Sequence, residues 1–156
     1  MERNPKPYLQ DSFAIDNETV EDVKGQIGNA ELVDHSRRLV KKLWNVAEGV
    51  WCFVGNGLSN QTFVEGPEGL IVIDTGECVE EMAEALVAIR EETQSPIAAV
   101  IYTHFHYVAG TKAVFTSEER DDIPIWGHER IAMNRRSYGT ELSAVASRGL
   151  IHPFGI

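Results

Sequence analysis

"LIVIDTGECVEEMAEALVAIREETQSPIAAVIYTHFHYVAG", residues 70–110, decides the fold. Its first five residues, LIVID, form an apolar run of the length and β-branched character of a strand buried on both faces. Asp74-Thr75-Gly76 is turn chemistry at the strand end. "ECVEEMAEALVAIREETQ", 77–94, carries Met82, Leu86 and Ile89 on one stripe with acids on the other faces, the pattern of an amphipathic helix. Ser95-Pro96 stops it. "IAAVIYT", 97–103, is a second apolar run and a second buried strand. Strand, helix and strand of these lengths form one crossover unit, which places the two strands parallel and the connection right-handed.

The neighbouring segments extend this unit in both directions. "SNQTFVEGPEGLIVIDTG", 59–76, reads as strand, tight turn at Gly-Pro-Glu-Gly, and strand, a hairpin leading into LIVID. "GVWCFVG", 49–55, is a short aromatic and β-branched strand between glycines. "AELVDHSRRLVKKLWNVA", 30–47, places Leu32, Val33, Leu39, Val40, Leu43 and Trp44 at rough helical spacing and predicts a helix. "DNETVEDVKGQI", 16–27, offers a helix start, and residues 1–16, polar with two prolines, read as an arm. Downstream, "AGTKAVFTSEER" predicts a short helix, "IPIWGH", 123–128, a third strand, and "ERIAMNRRSYG" and "TELSAVASRG" a helix and a loop. The organisation expected is an N-terminal arm over residues 1–29 and one domain over 30–156, with no internal repeat.

Composition restricts the function. The chain has 156 residues, 43% of them hydrophobic, and a net charge of −10 from 14 basic and 24 acidic side chains. That balance disfavours nucleic acid and anionic membrane surfaces as partners. The acids fall mostly on helix surfaces, where they act by solvation. Cys52 and Cys78 lack the spacing of a zinc site or a disulfide framework and read as free thiols in a reducing compartment. No apolar run approaches a membrane span, and the first residues lack a secretory apolar core, so the expected location is cytoplasmic.

His104 and His106 follow the second buried strand at i, i+2. In open α/β sheets, ligands bind beyond the carboxyl ends of the strands. Asp74, His104, His106 and His128 all fall near such ends, and imidazoles with a carboxylate suit zinc, iron or manganese. The same residues also suit plainer roles. A histidine pair at a strand end can be a hydrogen-bonded turn, Asp74 a turn former, and His128 a helix N-terminal residue. His35 lies among charges on a helix face, and His152 carries no signal.

The ordered combination is more specific than its parts. "TFVEGPEGLIVIDTG", a helix, "IAAVIYTHFH" and "AGTKAVF" together resemble the N-terminal half of the metallo-β-lactamase fold. The likeness is to its alkylsulfatase-like branch, to which "NQTFVEGPEGLIVIDTG" and "HERIAMNRRSYGTEL" are also similar. It runs in order over about residues 44–145. The resemblance implies an α/β (α+β) architecture: half of an αββα sandwich, with a mixed sheet and outer helices. It also implies a hydrolase in which metal-activated water attacks an ester, amide or sulfate ester of a small-molecule substrate. The family motif is His-x-His-x-Asp-His. His104 and His106 match its first two metal ligands, and Asp74 matches the strand-end Asp that supports the site from behind. Tyr107 follows the second His, where a phenol can line a pocket or bond to a ligand.

Two departures qualify what the resemblance implies. Val108 and Ala109 stand where the motif has Asp and His; alternatively the loop is two residues short, and Gly110-Thr111-Lys112-Ala113 aligns with the segment after the motif. Either way the expected site holds one zinc ion rather than two, with iron or manganese as alternatives. The resemblance also covers only the first of two similar halves. A lone half leaves one apolar sheet face uncovered, so the expected partner is a chain carrying the second half, or a second copy in a homodimer. The ending at "HPFGI", which has no tail character, fits a split enzyme. Three functions follow: an enzyme half using Asp74, His104, His106 and Tyr107; a degenerate subunit serving assembly or ligand binding; and metal-free acid–base use of the histidines.

Overall fold

The structure is a computed structural model and describes residues 18–21, 25, 27–36 and 40–140. The N-terminal arm over 1–16, the loop over 141–149 and His152 lie outside the described residues. The chain divides into two compact units, Met1–Val40 and Lys41–Ile156.

In the first unit, β1 (Thr19–Glu21) pairs antiparallel with β2 (Ile27–Asn29), and α1 (Ala30–Ser36) follows directly. Asn29 caps α1: its side-chain oxygen accepts the Glu31 and Leu32 amides at 2.9 and 3.2 Å. Two expectations are corrected here. The helix start read in residues 16–27 is a strand at Thr19–Glu21, because its Thr-Val-Glu run pairs antiparallel with Ile27–Asn29. The helix read over 30–47 ends at Ser36 among the described residues.

Residues Lys42–Ala47 are instead β3 of the second unit. The helical spacing of Leu43 and Trp44 was coincidental. Asn45 and Trp51 face each other across a tight hairpin whose Gly49 adopts φ 69°, and Leu43 meets Phe53. β3 is joined by β4 (Val50–Val54), β5 (Gln61–Gly66), β6 (Gly69–Ile73), β7 (Ile97–Ile101) and β8 (Ile125–Trp126), in that spatial order. The first four strands run antiparallel to their neighbours, and β6, β7 and β8 run parallel. Residues 123–128 thus yield a strand of only two residues. Parallel strands need crossovers, and these are α2 (Val79–Arg90) between β6 and β7 and α3 (Thr111–Glu118) between β7 and β8. A last helix, α4, spans Ile131–Thr140.

α2 and α3 are the described helices that pack on this sheet. The core between them joins Trp51, Phe53, Phe63, Leu70, Val72, Ile97 and Val100 of the strands to Met82, Leu86, Ile89, Ala113 and Val114 of the helices. Arg90 of α2 and Glu118 of α3 form an ion pair, and Glu118 also accepts the Ile97 amide, tying both helices to β7.

The opposite face is different. Cross-strand register places Trp44, Cys52, Thr62, Ile73, Ile101 and Trp126 in one row across all six strands. A second row runs Ala47, Val50, Val64, Ile71, Ala99. None of these residues is buried, and the two tryptophans at the edges are 45% and 64% exposed. LIVID and IAAVI therefore carry the composition of strands buried on both faces, while only one face is covered among the described residues. The expectation of two-sided burial is corrected accordingly.

Candidate metal centre

The carboxyl ends of β6 and β7 build the site. Asp74 continues β6 with its amide on the Ile101 carbonyl at 2.9 Å, then turns through a left-handed φ of 58°. Asp tolerates that region because its short carboxylate can bond locally. Here both oxygens go to one residue: Oδ1 accepts the Thr103 amide at 2.9 Å and Oδ2 the Thr103 hydroxyl at 2.6 Å. Thr103 Oγ1 lies 2.8 Å from His104 Nδ1. Asp74, 7% exposed, is thus linked to His104 through Thr103.

The rest of the loop is laid alongside residues 74–76 like an added strand. The Thr75 amide donates to the Tyr107 carbonyl at 2.8 Å, the Ala109 amide to the Gly76 carbonyl at 3.2 Å, and Gly76 bridges Val108 in parallel. A hydroxyl cluster locks this arrangement. Thr111 donates to the Val108 carbonyl at 2.9 Å, so the Tyr102 hydroxyl donates to Thr111, and Thr75 lies 3.0 Å away. Burial pushes the Tyr102 phenol above its ordinary value, opposed by the Thr111 hydrogen bond and the Arg135 charge. Gly110 makes the close approach possible, since a Cβ there would lie 1.9 Å from the Thr75 carbonyl oxygen and 2.6 Å from Met82 Cβ.

The histidines stand at the mouth of this loop. Their ring centroids are 5.0 Å apart, and the Tyr107 ring lies edge-on to His104 at 4.8 Å. From α4, Tyr138 packs edge-on to His106 at 5.2 Å and lies 5.7 Å from Phe105. His128 stands apart: its Nδ1 accepts the Arg130 amide at 3.2 Å and its carbonyl the Ile131 amide, which is the work of a residue just before a helix. His35 is exposed in the last turn of α1. An apolar groove of about 470 Å³ between α2 and α3, lined by Val79, Leu86, Val87 and Ala113, includes none of the site residues.

A separation of about 5 Å suits two imidazoles sharing one tetrahedral ion with ~2.0–2.1 Å metal–nitrogen bonds. His104 and His106 meet that spacing. Among the described residues no cluster of three or more His, Cys, Asp or Glu side chains completes a metal site. Val108, where a carboxylate ligand would be needed, is apolar and 7% exposed. Sequence reading singled out Asp74, His104, His106 and Tyr107, and the structure brings all four to one strand edge. It missed Thr103, although Thr directly before the first His was visible in "YTHFH", and it missed Tyr138, for which the sequence carries no signal.

Comparison with known proteins gives a family match, curated relatives and solved structures. Residues 54–107 match the metallo-beta-lactamase superfamily. Over 98 residues the chain is 35% identical to a linear primary-alkylsulfatase of Pseudomonas sp., covering 60% of this chain and 18% of that protein. Among solved structures, a double mutant of the sec-alkyl sulfatase PisA1 aligns with 86% of this chain and 25% of its own, at 20% identity and TM-score 0.65. A metallo-β-lactamase from Hirschia baltica aligns with 63% of this chain and 48% of its own, at 19% identity and TM-score 0.51. These two structural likenesses establish the mixed α/β fold. The chain thus spans less than a fifth of the length of the curated relative described.

Proposed function

For a chain that resembles part of an alkylsulfatase-like metallo-β-lactamase fold, we propose a metal-dependent hydrolase of esters or sulfate esters, completed by a second sheet. That sheet comes from a partner chain carrying the second half, or from a second copy in a homodimer. The observation that carries the reading is the Asp74–Thr103–His104 hydrogen-bonded chain beside His106, at the carboxyl ends of two parallel strands. His104 and His106 would hold one ion, zinc first and iron or manganese as alternatives, and the covering half would provide the remaining ligands. When bound, such an ion lowers the pKa of water and polarises the bond to be cleaved. The chain's own residues hold and orient: Asp74 fixes Thr103, Thr103 contacts His104, and Tyr107 packs the His104 ring. The uncovered row from Trp44 to Trp126 supports the second sheet, since apolar rows on both sides of a sheet are normal where a layer covers each.

Native mass spectrometry with metal analysis tests this. The isolated chain should hold zinc weakly or not at all, and its covered assembly about one ion per site, because ligand sets completed on assembly bind only then. An assembly that takes up no metal under any loading overturns the reading. A second reading, a non-catalytic subunit, is favoured by Val108 and Ala109 at the motif's Asp and His. It requires that replacing both His104 and His106 by Ala leave assembly and any sulfatase activity unchanged.

A further inference from the structure

We infer that Thr103 is a positioning residue that holds neutral His104 in one tautomer, with the proton on Nδ1 and a bare lone pair on Nε2. The argument is a count of protons. A carboxylate accepts only, and a threonine hydroxyl has one proton to give. Asp74 Oδ1 takes the Thr103 backbone proton at 2.9 Å. Asp74 Oδ2 takes the hydroxyl proton at 2.6 Å, the shorter of the two contacts. Thr103 Oγ1 then has only lone pairs left for His104 Nδ1, 2.8 Å away. That contact is a hydrogen bond only if Nδ1 carries the proton and donates it.

The sequence of donors therefore runs from His104 Nδ1–H to Thr103, and from Thr103 O–H to Asp74. The Tyr107 and His106 rings at 4.8 and 5.0 Å restrain the imidazole from turning over. Asp74 is held in place by the hydrogen bond its backbone amide donates to the Ile101 carbonyl and by its near-complete burial. The bare Nε2 is the atom a cation requires, so the inference deepens the proposed metal site and depends on that proposal for its purpose. Its test needs no metal.

The discriminating variant is Asp74→Asn. Its side-chain oxygen must face the Thr103 amide, which can only donate. Its NH₂ group then faces Thr103 Oγ1 and donates to it. The Thr103 proton, no longer taken up at position 74, is free to turn toward His104 Nδ1, which can receive it only as a bare nitrogen. The substitution therefore removes the restraint that keeps the His104 proton on Nδ1 and opens the Nε2–H tautomer. Asn also tolerates the left-handed backbone at position 74, so the fold is retained.

The experiment is long-range ¹H–¹⁵N correlation NMR of the metal-free, ¹⁵N-labelled chain at about pH 8.5, well above the ordinary imidazole pKa of ~6.5. His104 should show a protonated Nδ1 and an unprotonated Nε2 in the wild type and in Thr103→Ser. Asp74→Asn should populate the Nε2–H tautomer, and Thr103→Val should give a mixture of tautomers. His35 and His128 serve as internal references that do not change. Nε2–H in the wild type overturns the inference, and so does a His104 pattern that is unchanged in both Asp74→Asn and Thr103→Val. A second readout is zinc affinity of the covered assembly by chelator competition. Thr103→Val should weaken it by about 10–100-fold, as loss of an outer partner does, and Thr103→Ser should restore it. Should the tautomer pattern hold while the assembly takes up no metal, the proposed hydrolase fails and the positioning role stands.

Discussion

The two faces of the six-stranded sheet are made from the same strands and have opposite fates. On one, Phe63, Leu70, Val72, Ile97 and Val100 are fully buried under α2 and α3. On the other, the alternate residues Thr62, Val64, Ile71, Ile73 and Ile101 stay half-exposed, with Trp44 and Trp126 open at the edges. In a one-sided antiparallel sheet the exposed set is normally polar. Here it is mostly apolar, a composition normally carried by strands that are covered on both faces.

The sharpest way to break this contrast is to cut into each face in turn. Phe63→Ala, on the covered face, should cost about 4 kcal/mol in urea denaturation, because it leaves a cavity among packed neighbours. Gly110→Ala should cost about 3 kcal/mol, since its new methyl meets the Thr75 carbonyl oxygen at 1.9 Å and cannot be absorbed by a flexible side chain. The same variant should displace the histidine loop, visible as shifted His104 and His106 NMR signals. Trp126→Lys, on the open face, should change the stability of the isolated chain by only about 0.5 kcal/mol. If the proposed assembly forms through this face, Trp126→Lys should nonetheless weaken it in sedimentation velocity, because a charge at the edge of the row opposes the burial of that face. Equal destabilisation by Phe63→Ala and Trp126→Lys would mean that both faces are covered.

Much of this was legible in the sequence. The run from residue 59 to residue 118 announced a hairpin, a helix, a strand and a helix, because each element there is set by local pattern: continuous apolar runs for LIVID and IAAVI, and a 3.6-residue stripe for the helix between them. The proposed metal-binding pair was legible because two histidines follow directly on a strand that the fold places beside Asp74. β3 was not legible. Leu43 and Trp44 satisfy a helical spacing as well as a strand, and only the pairing with Val50–Val54 decides between them.

By itself, then, the sequence determined the crossover unit, the strand-end location of Asp74, His104 and His106, and the apolar character of both sheet faces. These are properties of composition along a strand or a helix, where neighbours in sequence are neighbours in space. The tertiary structure decided the rest. It joined Asp74 to His104 through Thr103, brought Tyr138 from α4 against His106, and left one apolar face open. Those facts rest on pairs of residues distant in sequence, or on the absence of a covering layer among the described residues, and no local pattern encodes either.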